Sequence, residues 1–138
     1  MANHELCWLP ATELAALIRK KKVSPVEVVA AVLDRIEKVN PQLNAYVLVT
    51  ADQARKEARA AERALMNKGA KLGPLHGVPF SVKDVVITAG VRTTFGTPLY
   101  RDHVPAEDAP MVARLKAAGG IMLGKTNTPT FEIGRAHV

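Results

Sequence analysis

Among the side chains able to do chemistry, a lysine at the end of an apolar strand-like run is the best placed. Lys83 closes residues 78–83, in which Val78, Phe80 and Val82 share one face while Ser81 and Lys83 share the other. Val85-Val86-Ile87 follows and adds apolar surroundings. Such surroundings disfavour the charged form of an amine, so a lysine held there becomes available as a general base. The same spacing fits an edge-strand lysine that reaches solvent and blocks aggregation. A Ser81/Lys83 dyad is a third reading. The two residues lie about 7 Å apart along an extended backbone, so the lysine would have to fold back to reach the hydroxyl.

A second lysine sits in a formal phosphate-loop match. Gly119-Gly120-Ile121-Met122-Leu123-Gly124-Lys125-Thr126 fits G-x-x-x-x-G-K-[ST] at every position. Such a loop needs a strand before it and a helix after it. Here a helical pattern precedes, three large apolar residues fill the loop and read as strand, and Pro129 follows closely, so no nucleotide site is expected. Cys7 has no second cysteine to pair with and reads as a small hydrophobe. His4, His76, His103 and His137 are too scattered to form a ligand cluster. No cofactor and no metal are expected.

The elements that must carry these residues are marked by period and punctuation. Residues 12–20 read as a helix with Thr12 as cap. Ser24-Pro25-Val26-Glu27 is a capping box with proline in the first turn, opening a helix that Asn40-Pro41 stops. Residues 45–49 read as a strand and residues 51–66 as a helix. Its stripe of Ala54, Ala58, Ala61 and Leu65 packs closely but buries little apolar area, so it leans on a larger body. Residues 78–86 read as strand, and the Gly-, Thr- and Pro-rich residues 88–105 as site-forming loops. A helix capped by Asp108 ends at Gly119-Gly120, and Ile121-Met122-Leu123 is a short buried strand. Helices alternating with apolar strands give an α/β sheet protein.

Composition narrows the function classes. The chain has 138 residues and is 48% hydrophobic, which fits one domain or a piece of one. No apolar run approaches the ~20 residues that span a bilayer, and the N-terminus lacks a basic start followed by an apolar stretch, so a cytoplasmic protein is expected. The net charge of +6 raises nucleic-acid binding. However, the one basic run, Arg19-Lys20-Lys21-Lys22, ends a helical stretch where cations favour the helix C-terminus, and no aromatic residues interleave with it.

Gly73-Pro74-Leu75-His76-Gly77-Val78-Pro79-Phe80-Ser81-Val82-Lys83-Asp84 resembles the strand-and-lysine motif of the amidase signature family. The resemblance continues through Gly90-Val91-Arg92-Thr93-Thr94-Phe95-Gly96, Asp108-Ala109 and Gly124-Lys125-Thr126-Asn127-Thr128-Pro129, and covers nearly the whole chain. It implies the N-terminal part of an α/β/α sandwich with a mixed sheet, truncated within a single domain. It also implies a Ser-cisSer-Lys hydrolase of carboxamides in which Lys83 is the base. A bridging serine passes the proton from a nucleophilic serine, and both serines belong to a segment beyond the end of this chain. Ser81 matches neither of them. The implied partner is a small-molecule carboxamide, with no direct nucleic-acid or membrane contact and, for the complete protein, a homodimer. The runner-up is the amidase component of a transfer-RNA-dependent amidotransferase, and a non-catalytic scaffold is a third class. The wording of Thr97-Pro98-Leu99-Tyr100 and Asn127-Thr128-Pro129 leans toward the stand-alone hydrolases. The pattern departs at Thr130, where many members carry a glutamate, and Glu132 does not replace it by position.

Ile133-Gly134-Arg135-Ala136-His137-Val138 can be encoded by ATC GGA AGA GCA CAC GTC, a common sequencing-adapter sequence, and the preceding AG completes a GAG codon for Glu132. Residues 132–138 are therefore expected to be a non-native tail, and residues 1–131 the amidase portion.

Overall fold

The computed structural model describes residues 5–133. Its elements run α1 (Ala11–Arg19), α2 (Pro25–Leu43), β1 (Tyr46–Val49), α3 (Ala51–Met66), β2 (Pro79–Lys83), α4 (Pro110–Ala117) and β3 (Ile121–Thr126), with short 3-10 turns at Glu5–Trp8, Pro98–Tyr100 and Thr130–Glu132.

Helix α2 begins as its sequence dictates. The Ser24 hydroxyl accepts from the Val26 amide at 2.9 Å, and the Ser24 amide donates to Glu27 Oε2 at 2.8 Å, so two of the otherwise unpaired groups of the first turn find partners. Its end lies later than expected. Pro41 is accommodated inside the last turn, and the helix runs to Leu43, where Asn44 caps it in the left-handed conformation and donates to Asn40 O. The Asn40 side chain is drawn off to bracket the backbone of Tyr46, which fixes the entry to β1.

Two other expected caps are displaced. Helix α1 is capped by Pro10, with no side-chain hydrogen bond, and Thr12 lies inside it. Helix α4 is capped by Ala109, because the Asp108 carboxylate is engaged elsewhere, accepting from the Ala89 amide at 2.8 Å and pairing with Lys116. β2 is also shorter than its apolar pattern, ending at Lys83, where a turn takes the chain from Lys83 to Val86.

The three strands form a mixed sheet in the order β1-β3-β2, with β3 antiparallel to β1 and parallel to β2. Val29 and Leu33 of α2 and Ala54 and Ala58 of α3 pack on Ile121 and Leu123 across one face. Val112 of α4 packs on Val82 and Met122 across the other. The result is helix, sheet, helix, with β3 buried on both sides. The small residues of α3 let the helix approach the sheet closely, as its alanine stripe requires.

The register of β3 against β2 contains one irregularity that matters for the site. Phe80 pairs with Met122, but Val82 pairs with Lys125, so β3 spends one extra residue where β2 advances by two. A bulge of this kind moves the side chains beyond it to the opposite face. It occurs at Gly124, where an added Cβ would lie 2.1 Å from Leu48 O, a distance no side chain tolerates. Without the bulge Lys125 would share the α2/α3 face with Ile121 and Leu123. With it, Lys125 shares the α4 face with Val82 and Met122.

Candidate active site

The end of β2 is built around Lys83 and Asp84, whose surroundings are opposite. Alternation along β2 puts Ser81 and Lys83 on the open side, while Val82 turns into the core. Lys83 is not enclosed as its neighbours' apolarity led one to expect. Its side chain is 46% exposed, and its amine is paired with Glu132. Of the apolar residues after it, Val86 folds away in the turn and packs against the cluster on the other face of the sheet. Among the described residues no hydrogen bond joins Ser81 to Lys83, as the extended spacing of the strand requires.

Asp84 is buried, at 1% exposure. Its main chain continues the sheet, with the amide donating to Thr126 O at 2.9 Å and the carbonyl accepting from the Phe95 amide at 3.0 Å. Its carboxylate accepts from the Thr94 amide at 3.1 Å and from the Thr94 hydroxyl. Asp84 thus ties the end of β2 to the loop at residues 94–95. That loop brings Phe95 against Tyr100, His103 and Phe131, with ring centroids 5.1 to 5.8 Å apart. The Phe131 amide donates to Phe95 O at 2.8 Å, so this aromatic cluster stands next to the Lys83–Glu132 pair.

Beneath the sheet lies the lysine of the phosphate-loop match. Gly119 and Gly120 form the turn out of α4, and residues 121–126 are strand, so the segment is helix, turn, strand and not the strand, loop, helix that nucleotide binding needs. Lys125 has 0% exposure. Its ammonium has three donors, and each has an acceptor: Val86 O, Thr93 Oγ1 at 3.0 Å and Thr88 Oγ1 at 3.3 Å. Burial lowers the Lys125 pKa to about 8, and the Asp84 carboxylate pulls it in the opposite direction. Both threonines are fully buried and donate onward, Thr88 to Val86 O and Thr93 to Val91 O.

An amine disfavoured as a cation by burial is found at Lys125. Accessibility distinguishes the two lysines. Lys125 is sealed by its own acceptors and offers no route to a substrate, whereas the Lys83 amine stands in the open. The burial of Lys125 escaped sequence reasoning because its acceptors lie 32 to 39 residues away and the bulge at Gly124 sets its face. One signal was present: a lysine one residue beyond the apolar run Ile121-Met122-Leu123, separated from it only by Gly124.

Cys7 packs as a half-buried hydrophobe against the α1/α2 core, its thiol pKa raised by that burial. Among the described residues no group of three or more His, Cys, Asp or Glu is arranged to hold a metal ion, and no helix is long and apolar enough to cross a membrane. Residues 134–138, including Arg135 and His137 of the expected tail, lie outside the described residues.

Comparison with known proteins bears on the same segment. The family profile described as Amidase matches residues 27–138. An acylamidase of Rhodococcus erythropolis is 43% identical over 129 residues, covering 94% of this chain and 27% of that protein. A glutamyl-tRNA(Gln) amidotransferase component from Moorella thermoacetica is 48% identical over 130 residues, covering 94% of this chain and 26% of that protein. The crystal structure of a bacterial aryl acylamidase of the amidase signature family superposes with a TM-score of 0.83 at 34% identity, covering 90% of this chain and 26% of that one. The chain spans about a quarter of the length of the curated relatives it matches.

Proposed function

This chain belongs to the amidase family, and from that premise we propose that it forms the lysine-bearing part of a hydrolase that cleaves a carboxamide C–N bond, with Lys83 as the base. The observation that carries this reading is the placement of Lys83: last residue of β2, on the open face, its backbone fixed from both sides through Asp84.

In the reading implied by the family resemblance, the neutral Lys83 amine accepts a proton from a bridging serine, which accepts one from a nucleophilic serine. The nucleophile's oxygen bonds to the carboxamide carbon, and the carbonyl π electrons move onto its oxygen, where backbone amides stabilise the charge. Collapse of that adduct expels ammonia or an amine, protonated by the same relay. Water then adds to the acyl-serine ester and releases the acid. On this reading both serines belong to a part of the family's domain that this chain does not include. Lys83 can accept a proton only when free of Glu132.

The aromatic cluster of Phe95, Tyr100 and Phe131 supplies an apolar surface beside the amine. That surface suits an aryl or alkyl amide better than the polar side chain of glutamine, and favours a stand-alone hydrolase. The 48% identity to an amidotransferase component favours the second reading, a glutaminase that hands ammonia to a partner. Replacement of Lys83 in the full-length enzyme carrying this segment tests the base assignment. Lys83→Ala and Lys83→Arg should both lose turnover of a chromogenic anilide, because neither can accept the proton at any accessible pH. A Lys83→Arg enzyme close to wild type would make Lys83 structural.

A further inference from the structure

We infer that Lys125 is a positioning residue for Lys83, gripping from beneath the sheet the turn on which the Lys83 backbone rests. The inference depends on the reading of Lys83 as the base and adds how that base is held.

Two hydrogen bonds connect the two lysines through one residue. The Lys125 ammonium donates to Val86 O, and the Val86 amide donates to Lys83 O at 2.9 Å. The peptide units flanking Val86 are thus held by Lys125 on one side and hold Lys83 on the other. The remaining ammonium donors reach Thr88 and Thr93, the two ends of a loop whose middle is fixed from outside. Its Ala89 amide donates to Asp108 Oδ1, and its Gly90 amide donates to Pro105 O at 2.9 Å. Lys125 is therefore the central tie of residues 86–93, reaching both ends from within.

The neighbouring strand supplies the second half of the grip. Thr126, adjacent to Lys125, accepts the Asp84 amide and pairs in register with Lys83. A single dipeptide, Lys125-Thr126, thereby holds Lys83 and Asp84 on one side through main chain and on the other through the Lys125 side chain. The bulge at Gly124 is what aims that side chain at the loop; a regular strand would aim it at α2 and α3. Simple core filling does not account for a lysine here. An apolar side chain of similar length would fill the space without desolvating a charge, and Val86 O would keep the Thr88 hydroxyl as donor.

Displacing a catalytic group by about 1 Å costs on the order of 100-fold in rate. In the full-length enzyme, Lys125→Met should lower kcat for a chromogenic anilide by about 10- to 100-fold with KM held within about 3-fold, measured below the variant's unfolding transition. In the 138-residue chain, the same substitution should accelerate hydrogen exchange at the Val86 amide while leaving exchange in α2 unchanged. Should Lys125→Met fail to fold, Thr93→Val removes one acceptor alone and should reproduce the kcat loss in weaker form, about 3- to 10-fold, again at constant KM. A folded Lys125→Met enzyme with kcat within about 2-fold of wild type, beside an inactive Lys83→Ala enzyme, overturns this inference and leaves the base assignment standing. An active Lys83→Ala enzyme overturns the base assignment, and with it this role for Lys125.

Discussion

Replacing Lys125 by methionine should change how the stability of this chain depends on pH, by an amount the structure sets. Lys125 titrates near the ordinary lysine value of 10.5 in the unfolded chain and at about 8 in the folded one. Between those values the unfolded state binds more protons than the folded state, so the free energy of unfolding rises with pH. The contribution is complete above about 10.5 and is lost as the pH falls to 8 and below. A shift of about 2.5 units corresponds to roughly 3 kcal/mol. Urea denaturation of wild type and Lys125→Met from about pH 7.5 to 10.5 isolates it, because every other group titrating in that window is present in both proteins. The wild-type unfolding free energy should gain about 3 kcal/mol on the variant across the window. A difference that stays flat to within about 0.5 kcal/mol, well below one pKa unit's worth, would refute a buried lysine that sheds its proton near pH 8.

The remaining expectations follow from single contacts. Ser24→Ala removes the capping hydroxyl of α2 and should cost about 1 kcal/mol in the same assay, whereas Thr12→Ala, which caps nothing, should stay within about 0.5 kcal/mol. The 138-residue chain should hydrolyse no simple amide, since acyl transfer needs a nucleophile and an oxyanion site that the proposed reading puts outside it; turnover abolished by Ser81→Ala would revive the local dyad. An independent clone sequenced across Phe131 should diverge from residues 132–138. Recurrence of the same residues under different synonymous codons would make Glu132 native and its pairing with Lys83 a feature of the enzyme.

Much of this architecture could be read before any coordinates, and the failures share a cause. Helix α3 runs over Ala51–Met66, as its period and flanking residues indicate, and the Ser24 box begins α2, because these signals act between residues a few positions apart. The face of Lys83 follows from alternation alone. Its enclosure does not, since that depends on what lies over the open side of β2. Asp108 looked like a cap because its partners, Ala89 and Lys116, are invisible to a local reading. Lys125 was hidden twice, by a motif that drew attention to nucleotides and by a bulge that inverts the face alternation would assign.

The place of β3 in the sheet has a consequence for synthesis. It is the central strand of the three described, and also the last of them to be made, following β1 by about 70 residues. At roughly 5–20 residues per second, β1 waits on the order of 4–14 seconds for its only strand neighbour in the described sheet. During that interval Val29, Leu33, Ala54 and Ala58 lack Ile121 and Leu123, the buried strand residues they pack on, and β1 and β2 have no ladder between them. A ribosome paused between Lys83 and Ile121 would therefore carry a nascent chain with formed helices and an unmade sheet, a state in which an apolar helical face invites a chaperone. Synonymous codons that slow this interval should increase chaperone association and lower the soluble yield, without altering a single residue of the finished protein.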